Sequence, residues 1–146
     1  MADIVLDMNA LRLLLDGKYV DGIIEKGDHV FISKIWKRVY RSIKELSLGF
    51  TTISTHIKKL KRRKRLHEVS GKSNLPTVIE RELKDKKASE DDFEIARIAY
   101  DRRKVQNDIF LVSNDFHFLQ LKLTFEQDGI IVETKDEELR RVKIDA

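Results

Sequence analysis

Apolar residues follow two kinds of pattern along this chain. Continuous apolar runs cover residues 4–6, 109–112 and 130–132, and residues 30–33 are apolar up to the last, Ser33. A run that does not alternate with polar residues is typical of a strand buried on both faces. Between the runs, apolar residues are spaced by three and four positions, which indicates helices. These helical segments are residues 10–15, 20–24, 35–46, 53–60, 78–83, 93–99 and 116–125.

The order of these segments predicts the architecture. Strands that alternate with helices favour an α/β fold, here a three-layer α/β/α sandwich around a central, mainly parallel sheet. We expect one domain over residues 1–146, because this length suits a single core. Gly17, Gly49 and Gly129 are expected to end helices. Ser89, followed by three acidic residues, is expected to cap the start of a helix.

Composition narrows the class of protein. The chain has 41% hydrophobic and 37% charged residues, which is enough for one core beneath a highly charged surface. It has no cysteine, so disulfides, thiolate metal sites and a cysteine nucleophile are excluded. No apolar run approaches the length of a membrane span, and no signal segment opens the chain. We therefore expect a soluble, cytoplasmic protein without a membrane partner.

Positive charge is concentrated in one segment. Residues 34–65 contain twelve Lys and Arg against a single acid, a charge of +11, so the remainder of the chain carries −7. Such a block indicates a polyanionic partner, and RNA is the partner we expect; the alternative is a solvated helix face. The densest part of the segment, called here the basic run, comprises Lys58, Lys59, Lys61, Arg62, Arg63, Lys64 and Arg65.

Three acids are expected to meet at one edge of the sheet. Asp7 directly follows the first strand, Asp115 follows the third after a short turn, and Asp92 begins the helix that leads into that strand. Functional groups of open parallel sheets collect beyond the carboxyl ends of the strands. Three converging carboxylates need a cation, or protonation, to coexist, and oxygen ligands favour Mg²⁺ or Mn²⁺. Taken singly, each acid has an alternative interpretation as a helix cap.

Around these acids the sequence resembles the PIN domain, a family of metal-dependent ribonucleases. The family opens with an apolar strand and Asp-x-Asn, and residues 4–11 read IVLDMNAL. Its third block is an Asp followed by Ile-Ala and a further Ala, and residues 92–99 read DFEIARIA. Its fourth block is an apolar strand, Ser/Thr-x-Asp and a Phe, and residues 110–118 read FLVSNDFHF. The blocks occur in order and span almost the whole chain.

The resemblance implies a metal-dependent endoribonuclease that hydrolyses RNA phosphodiester bonds. It implies Asp7, Asp92 and Asp115 as catalytic, metal-binding acids, with Asn9 and Ser113 in support. Small members of the family are often toxins that pair with an antitoxin and form homodimers, so it also implies an antitoxin-like protein partner and a homodimer. The second block departs from the family, because its Glu is missing and Glu45, the nearest acid, comes about six residues late. A shifted register of that helix would make Glu45 a fourth metal ligand; otherwise the acidic cluster has three members.

Two other interpretations stay open. The missing Glu is compatible with a catalytically weak PIN-like module that binds nucleic acid or protein. Residues 50–65 begin with small hydroxyl-bearing residues and end with cations, which is typical of a recognition helix. A helix-turn-helix DNA-binding regulator is therefore the third hypothesis. The four histidines, including His117, form no ligand pair at helical spacing and are expected to be surface or structurally satisfied residues.

Overall fold

The centre of the protein is a five-stranded parallel sheet. The structure is a computed structural model that describes residues 1–42 and 47–143, without the side chains of residues 40–48. Its strands are β1 (Asp3–Leu6), β2 (His29–Ser33), β3 (Leu66–Val69), β4 (Ile109–Val112) and β5 (Ile130–Glu133). They lie in the order β3-β2-β1-β4-β5, and every neighbouring pair is parallel.

Helices connect the strands and cover both faces of the sheet. A 3-10 helix, Met8–Leu15, precedes α1 (Gly17–Lys26), α2 (Trp36–Ser42), α3 (Ser47–Arg62), α4 (Thr77–Asp85), α5 (Glu90–Arg103), α6 (Phe116–Leu119), α7 (Lys122–Gln127) and α8 (Lys135–Val142). The 3-10 helix, α1, α3 and α8 pack on one face, and α4 to α7 contribute to the core of the other. No helix in the described residues is both long and apolar enough to cross a membrane.

The strand order reverses direction once. From β1 the chain moves outward through β2 to β3, and it then crosses back to place β4 on the other side of β1. Right-handed crossovers to opposite sides put their helices on opposite faces, which is what separates α1 and α3 from α5. The carboxyl ends of β1 and β4 therefore flank a crevice, the position where open α/β sheets bind ligands.

The predicted fold class is confirmed. The four predicted strands are present, and Ser89 caps α5 with its side chain accepting a hydrogen bond from the Asp92 N–H. Residues 66–69, however, form a further edge strand that the sequence analysis did not identify. Their mixed pattern, with His67 and Glu68 between Leu66 and Val69, lacks the continuous apolar run of an interior strand.

Several predicted helix bounds are wrong. Residues 8–15 form a 3-10 helix, and the segment 116–125 divides into α6 and α7. Gly17 begins α1 instead of ending a helix. Gly49 lies inside α3, where a Cβ atom would lie 2.9 Å from the side chain of Leu15. This glycine therefore allows α3 to approach the 3-10 helix closely rather than marking a helix end.

Candidate metal centre

The three predicted acids lie at the carboxyl edge of the sheet. Asp7 comes one residue after β1, and Asp115 comes three residues after β4 and caps α6. Asp92 lies in the first turn of α5, which runs back across the sheet. The charges of Asp92 and Asp115 both act on Asp7. The crevice between β1 and β4 thus collects all three carboxylates.

Asp7 is a buried carboxyl group that is already well bonded. Its side chain is reached by the Met8 N–H at 2.7 Å and by the Ser113 hydroxyl at 2.6 Å, and the residue is only 4% exposed. Burial is the main cause that raises the pKa of Asp7 to about 7, and the charges of Asp92 and Asp115 add to it. The site therefore tolerates this negative charge poorly unless a cation is nearby.

Asp92 is placed by the start of α5. Its carboxylate accepts a hydrogen bond from the Ser89 N–H at 3.2 Å, which completes a capping box with the Ser89 side chain. The helix dipole favours a negative charge at this position. Even so, burial in the first place and the charge of Asp115 in the second raise the pKa of Asp92. The capping role explains the position of Asp92 but does not neutralise the cluster.

His117 brings a nitrogen into this cluster. Its Nε2 lies 3.1 Å from the carbonyl oxygen of Lys86, and because a carbonyl only accepts, Nε2 carries a proton. Its Nδ1 lies 2.9 Å from Asp115 Oδ1 and 3.2 Å from Asp92 Oδ2. Neither contact has the direction of a hydrogen bond, so Nδ1 is a buried nitrogen without a hydrogen-bond partner in the described residues.

These separations match the ligands of a shared ion. Two ligands at a right angle around an ion, with bonds of about 2.1 Å, lie about 3.0 Å apart. The ligand atoms of Asp92, Asp115 and His117 all lie within 4.8 Å of one another. In the tautomer fixed by Lys86, the free lone pair of Nδ1 is available to such an ion. The three side chains therefore have the donors and the spacing to hold one divalent cation.

The residues predicted to support the site hold its backbone together. Ser113 donates its hydroxyl hydrogen to Asp7, and the same oxygen accepts the Asp115 N–H at 2.9 Å. The side-chain oxygen of Asn9 accepts the Asn114 N–H at 3.2 Å, and its predicted support of Asp7 stays a prediction. Ser113 thus links the two acids directly, whereas Asn9 fixes the turn between β4 and α6.

The basic run lies at the opposite edge of the sheet. It ends at Arg65, just before β3, and the β2–β3 register places Arg65 four residues below Val69, which pairs with Ser33. Four residues of strand span about 13 Å and two strand spacings about 10 Å, so the Arg65 backbone is about 16 Å from that of Asp7. The backbone at the end of the basic run is thus separated from the acids, and the expectation that the run holds RNA stays a prediction.

Part of the basic run is occupied by contacts within the protein. Lys59 pairs with Asp21, and Lys61 pairs with Glu68. Arg65 donates to the carbonyl oxygen of Gly27 at 3.3 Å. The remaining cations are exposed and form no ion pair with any residue that the structure describes; they are Lys58, Arg62, Arg63 and Lys64. These four are the part of the run that is free to bind a polyanion.

The sequence analysis did not predict His117 as a metal ligand. One of the acids that it proposed as a ligand lies outside the part of the chain that the structure describes. His117 stands two residues after Asp115, on the first turn of α6, and this proximity was the available signal. Glu45 lies outside the described residues. Comparisons of the chain with protein-family models, with curated proteins and with solved structures gave no match in any of the three.

Proposed function

We propose that this protein is a PIN-type endoribonuclease that depends on a divalent metal ion. The observation that carries the proposal is the buried Nδ1 of His117, which has no hydrogen-bond partner in the described part of the chain and lies beside two carboxylates. The choice of RNA as substrate comes from the resemblance to the PIN family, and the exposed cations of the basic run are compatible with it.

Each residue of the centre has a distinct role. Asp92, Asp115 and His117 hold the ion, and His117 supplies the ligand that the family otherwise takes from a Glu. Asp7 adds a further charge that joins the set once a cation offsets the repulsion. When bound, the ion stabilises negative charge on the phosphate and lowers the pKa of the attacking water. Two carboxylates with one imidazole favour Mn²⁺ over Mg²⁺, because nitrogen is a poor ligand for Mg²⁺.

Asp92→Asn and Asp91→Asn form a matched pair for the test. Both substitutions remove one charge from the first turn of α5, so both weaken the dipole interaction equally. The asparagine introduced by Asp92→Asn retains an oxygen that can accept the Ser89 N–H, so the capping box is preserved. Only the Asp92 variant removes a ligand from the proposed centre.

The assay uses labelled single-stranded RNA with Mn²⁺, with and without EDTA. We expect cleavage by the wild type and by Asp91→Asn, loss of cleavage in EDTA, and a loss of about 100-fold or more in Asp92→Asn. Cleavage that persists in EDTA, or equal activity of the two variants, contradicts the metal mechanism. Mn²⁺ binding without cleavage of any RNA favours the alternative of a PIN-like binding module.

The remaining interpretations are separated by binding assays. Tighter binding to duplex DNA than to single-stranded RNA favours the helix-turn-helix regulator. Its candidate helix is α3, which buries Ile53, Ile57 and Leu60 against the sheet as a crossover helix. The antitoxin-like partner and the homodimer stay predictions, which co-purification and the molar mass in solution test.

A further inference from the structure

A cavity of about 380 Å³ opens between β2, β3 and α5. Its floor comes from Val69 at the end of β3 and from the buried side chains of Phe31 on β2 and Ile98 on α5. The guanidinium group of Arg102 lies over the Phe31 ring at 4.2 Å, so it presents a planar surface to the cavity. Phe31 pairs with Val5, two residues before Asp7, so its Cα lies about 8 Å from that of Asp7. The cavity is thus on the β2–β3 side of the centre.

The cavity has a fixed wall. The chain after β3 turns back over α5, where the Gly71 N–H donates to Glu94 at 2.8 Å and the Lys72 N–H donates to Asp101 at 2.8 Å. A Cβ atom at Gly71 would lie 2.5 Å from that of Arg97, so only glycine allows this approach. Because backbone groups tether the wall at two successive residues, the cavity is preformed rather than created by a ligand.

The charges around the cavity leave a positive surplus. Arg102 is neutralised by Asp3 at 2.8 Å, and Glu68 by Lys61. Asp101 accepts hydrogen bonds only from neutral groups of the loop that forms the wall, so its carboxylate still counts in the balance. Lys34 and Lys72 also line the cavity, and neither ammonium group forms an ion pair with a described residue, so the surplus is one positive charge. A planar guanidinium group beneath two ammonium groups suits a flat base that carries a phosphate.

A series of side-chain contacts connects the cavity with the end of the basic run. Arg65 lies 3.2 Å from His29, which lies 3.0 Å from His67, and the His67 ring stacks on Phe31 in the cavity floor. These residues form a continuous path from the basic run along the β2–β3 face. Lys34 directly follows β2 at the edge where Asp7 follows β1. The contacts therefore connect Arg65, at the end of the basic run, with the cavity.

We propose that the cavity is a nucleotide subsite, in which one nucleotide of single-stranded RNA places its base on Val69 and the guanidinium group of Arg102 and its phosphate on Lys34 and Lys72. This inference rests on the proposed function for the identity of the ligand. It assigns specificity to a preformed pocket on the β2–β3 side of the centre, between Arg65 and Asp7.

The first experiment measures binding alone, so it does not depend on catalysis. A fluorescent single-stranded RNA dodecamer is titrated in EDTA with the wild type and with Lys34→Ala/Lys72→Ala. Lys84→Ala/Lys122→Ala is the matched control, since it removes the same charge outside the cavity. We expect about tenfold weaker binding for the cavity variant and much less change for the control. Equal losses in the two variants overturn the proposal.

A second variant tests the base without altering charge. Val69→Trp fills the cavity floor while retaining both lysines, and we expect it to weaken binding of 5′-AMP measured in EDTA. Inorganic phosphate serves as the second probe. If phosphate binds as well as 5′-AMP, or if Val69→Trp leaves 5′-AMP binding unchanged in a folded protein, the cavity does not hold a base and the proposal is wrong.

The two proposals fail in different ways. Loss of RNA binding in the cavity variant, in a protein that never cleaves RNA, retains the subsite and rejects the nuclease. Metal-dependent cleavage with full RNA affinity in the cavity variant retains the nuclease and rejects the subsite. If both hold, the cavity variant raises KM for the dodecamer more than it lowers kcat.

Discussion

Replacing Asp7 by Asn tests how strongly the carboxyl edge depends on a cation. The carboxyl group is 4% exposed and adjoins two further acids, so its ionised form is unfavourable in the metal-free protein. Asparagine has nearly the same shape without the charge. Its oxygen can still accept the Met8 N–H, while the contact with Ser113 must rearrange.

The magnitude follows from the pKa of Asp7. Burial raises this pKa from 3.8 to about 7, a difference of about 3 units, and each unit corresponds to about 1.36 kcal/mol. Since the pKa is raised on folding, the protonated carboxyl contributes stability that is fully present below about pH 4. That contribution is lost as the pH rises through about 7. The loss amounts to about 4 kcal/mol for the metal-free protein.

Urea denaturation of both proteins in EDTA, from pH 4.5 to 8.5, measures this effect. We expect the free energy of unfolding of Asp7→Asn, relative to the wild type, to rise with pH by about 3 kcal/mol over this range. The rearranged bond to Ser113 adds an offset that does not depend on pH. Groups that do not interact with Asp7 contribute alike to both curves and cancel in the difference, whereas Asp92 and Asp115, whose charges act on Asp7, contribute to its slope. The slope of that difference is the quantity to compare.

Mn²⁺ provides the complementary measurement. A bound ion offsets the repulsion among the acids, so at pH 8 it should stabilise the wild type more than Asp7→Asn. Parallel stability curves of the two proteins in EDTA would refute the reasoning, because Asp7 would then titrate alike in the folded and unfolded states. Equal stabilisation of both by Mn²⁺ would exclude Asp7 from the centre.

Three further predictions concern the basic run, His117 and a buried tyrosine. Alanine at positions 62–64 removes exposed cations, so the salt dependence of single-stranded RNA binding, as −dlogK/dlog[salt], should fall by about 2; an unchanged slope contradicts an RNA-binding basic run. His117→Asn should weaken Mn²⁺ binding, measured calorimetrically, by about 10- to 100-fold, and unchanged affinity excludes His117 as a ligand. Tyr19→Phe removes a buried donor to a carboxylate and should destabilise by about 2 kcal/mol in thermal melts. Tyr100→Phe, whose bond to Asp128 is exposed, should cost less; equal costs contradict this.

Periodicity was a good guide to the interior of the sheet and a poor one at its edges. The strands at residues 4–6 and 109–112 are apolar throughout because helices cover both of their faces. Residues 66–69 lie at an edge with two half-buried polar side chains, so their sequence carries no comparable pattern. Gly49 was predicted to end a helix, but it lies inside α3, where the absence of a side chain allows close packing against Leu15.

The candidate site was predictable only where position along a strand determines it. Asp7 follows β1 directly and Asp115 follows β4 after a two-residue turn, so a parallel sheet brings them to one edge. The role of His117 depends on the Lys86 carbonyl oxygen, which fixes the tautomer from a loop 31 residues away. No local spacing encodes such a contact. The same holds for the basic run, whose distance from the acids depends on β3.

The distance between the basic run and the candidate metal centre has a consequence for the substrate. The Arg65 backbone, at the end of the basic run, is about 16 Å from that of Asp7, so an anion bound only beside Arg65 does not contact the acids. A short RNA can therefore occupy one edge or the other, but only a longer strand can bind both and gain the added affinity of linked contacts. If RNA passes through the cavity beside Lys34 on its way from the basic run to the metal centre, cleavage efficiency should increase with RNA length. It should level off once the strand is long enough to extend from the basic run to Asp115.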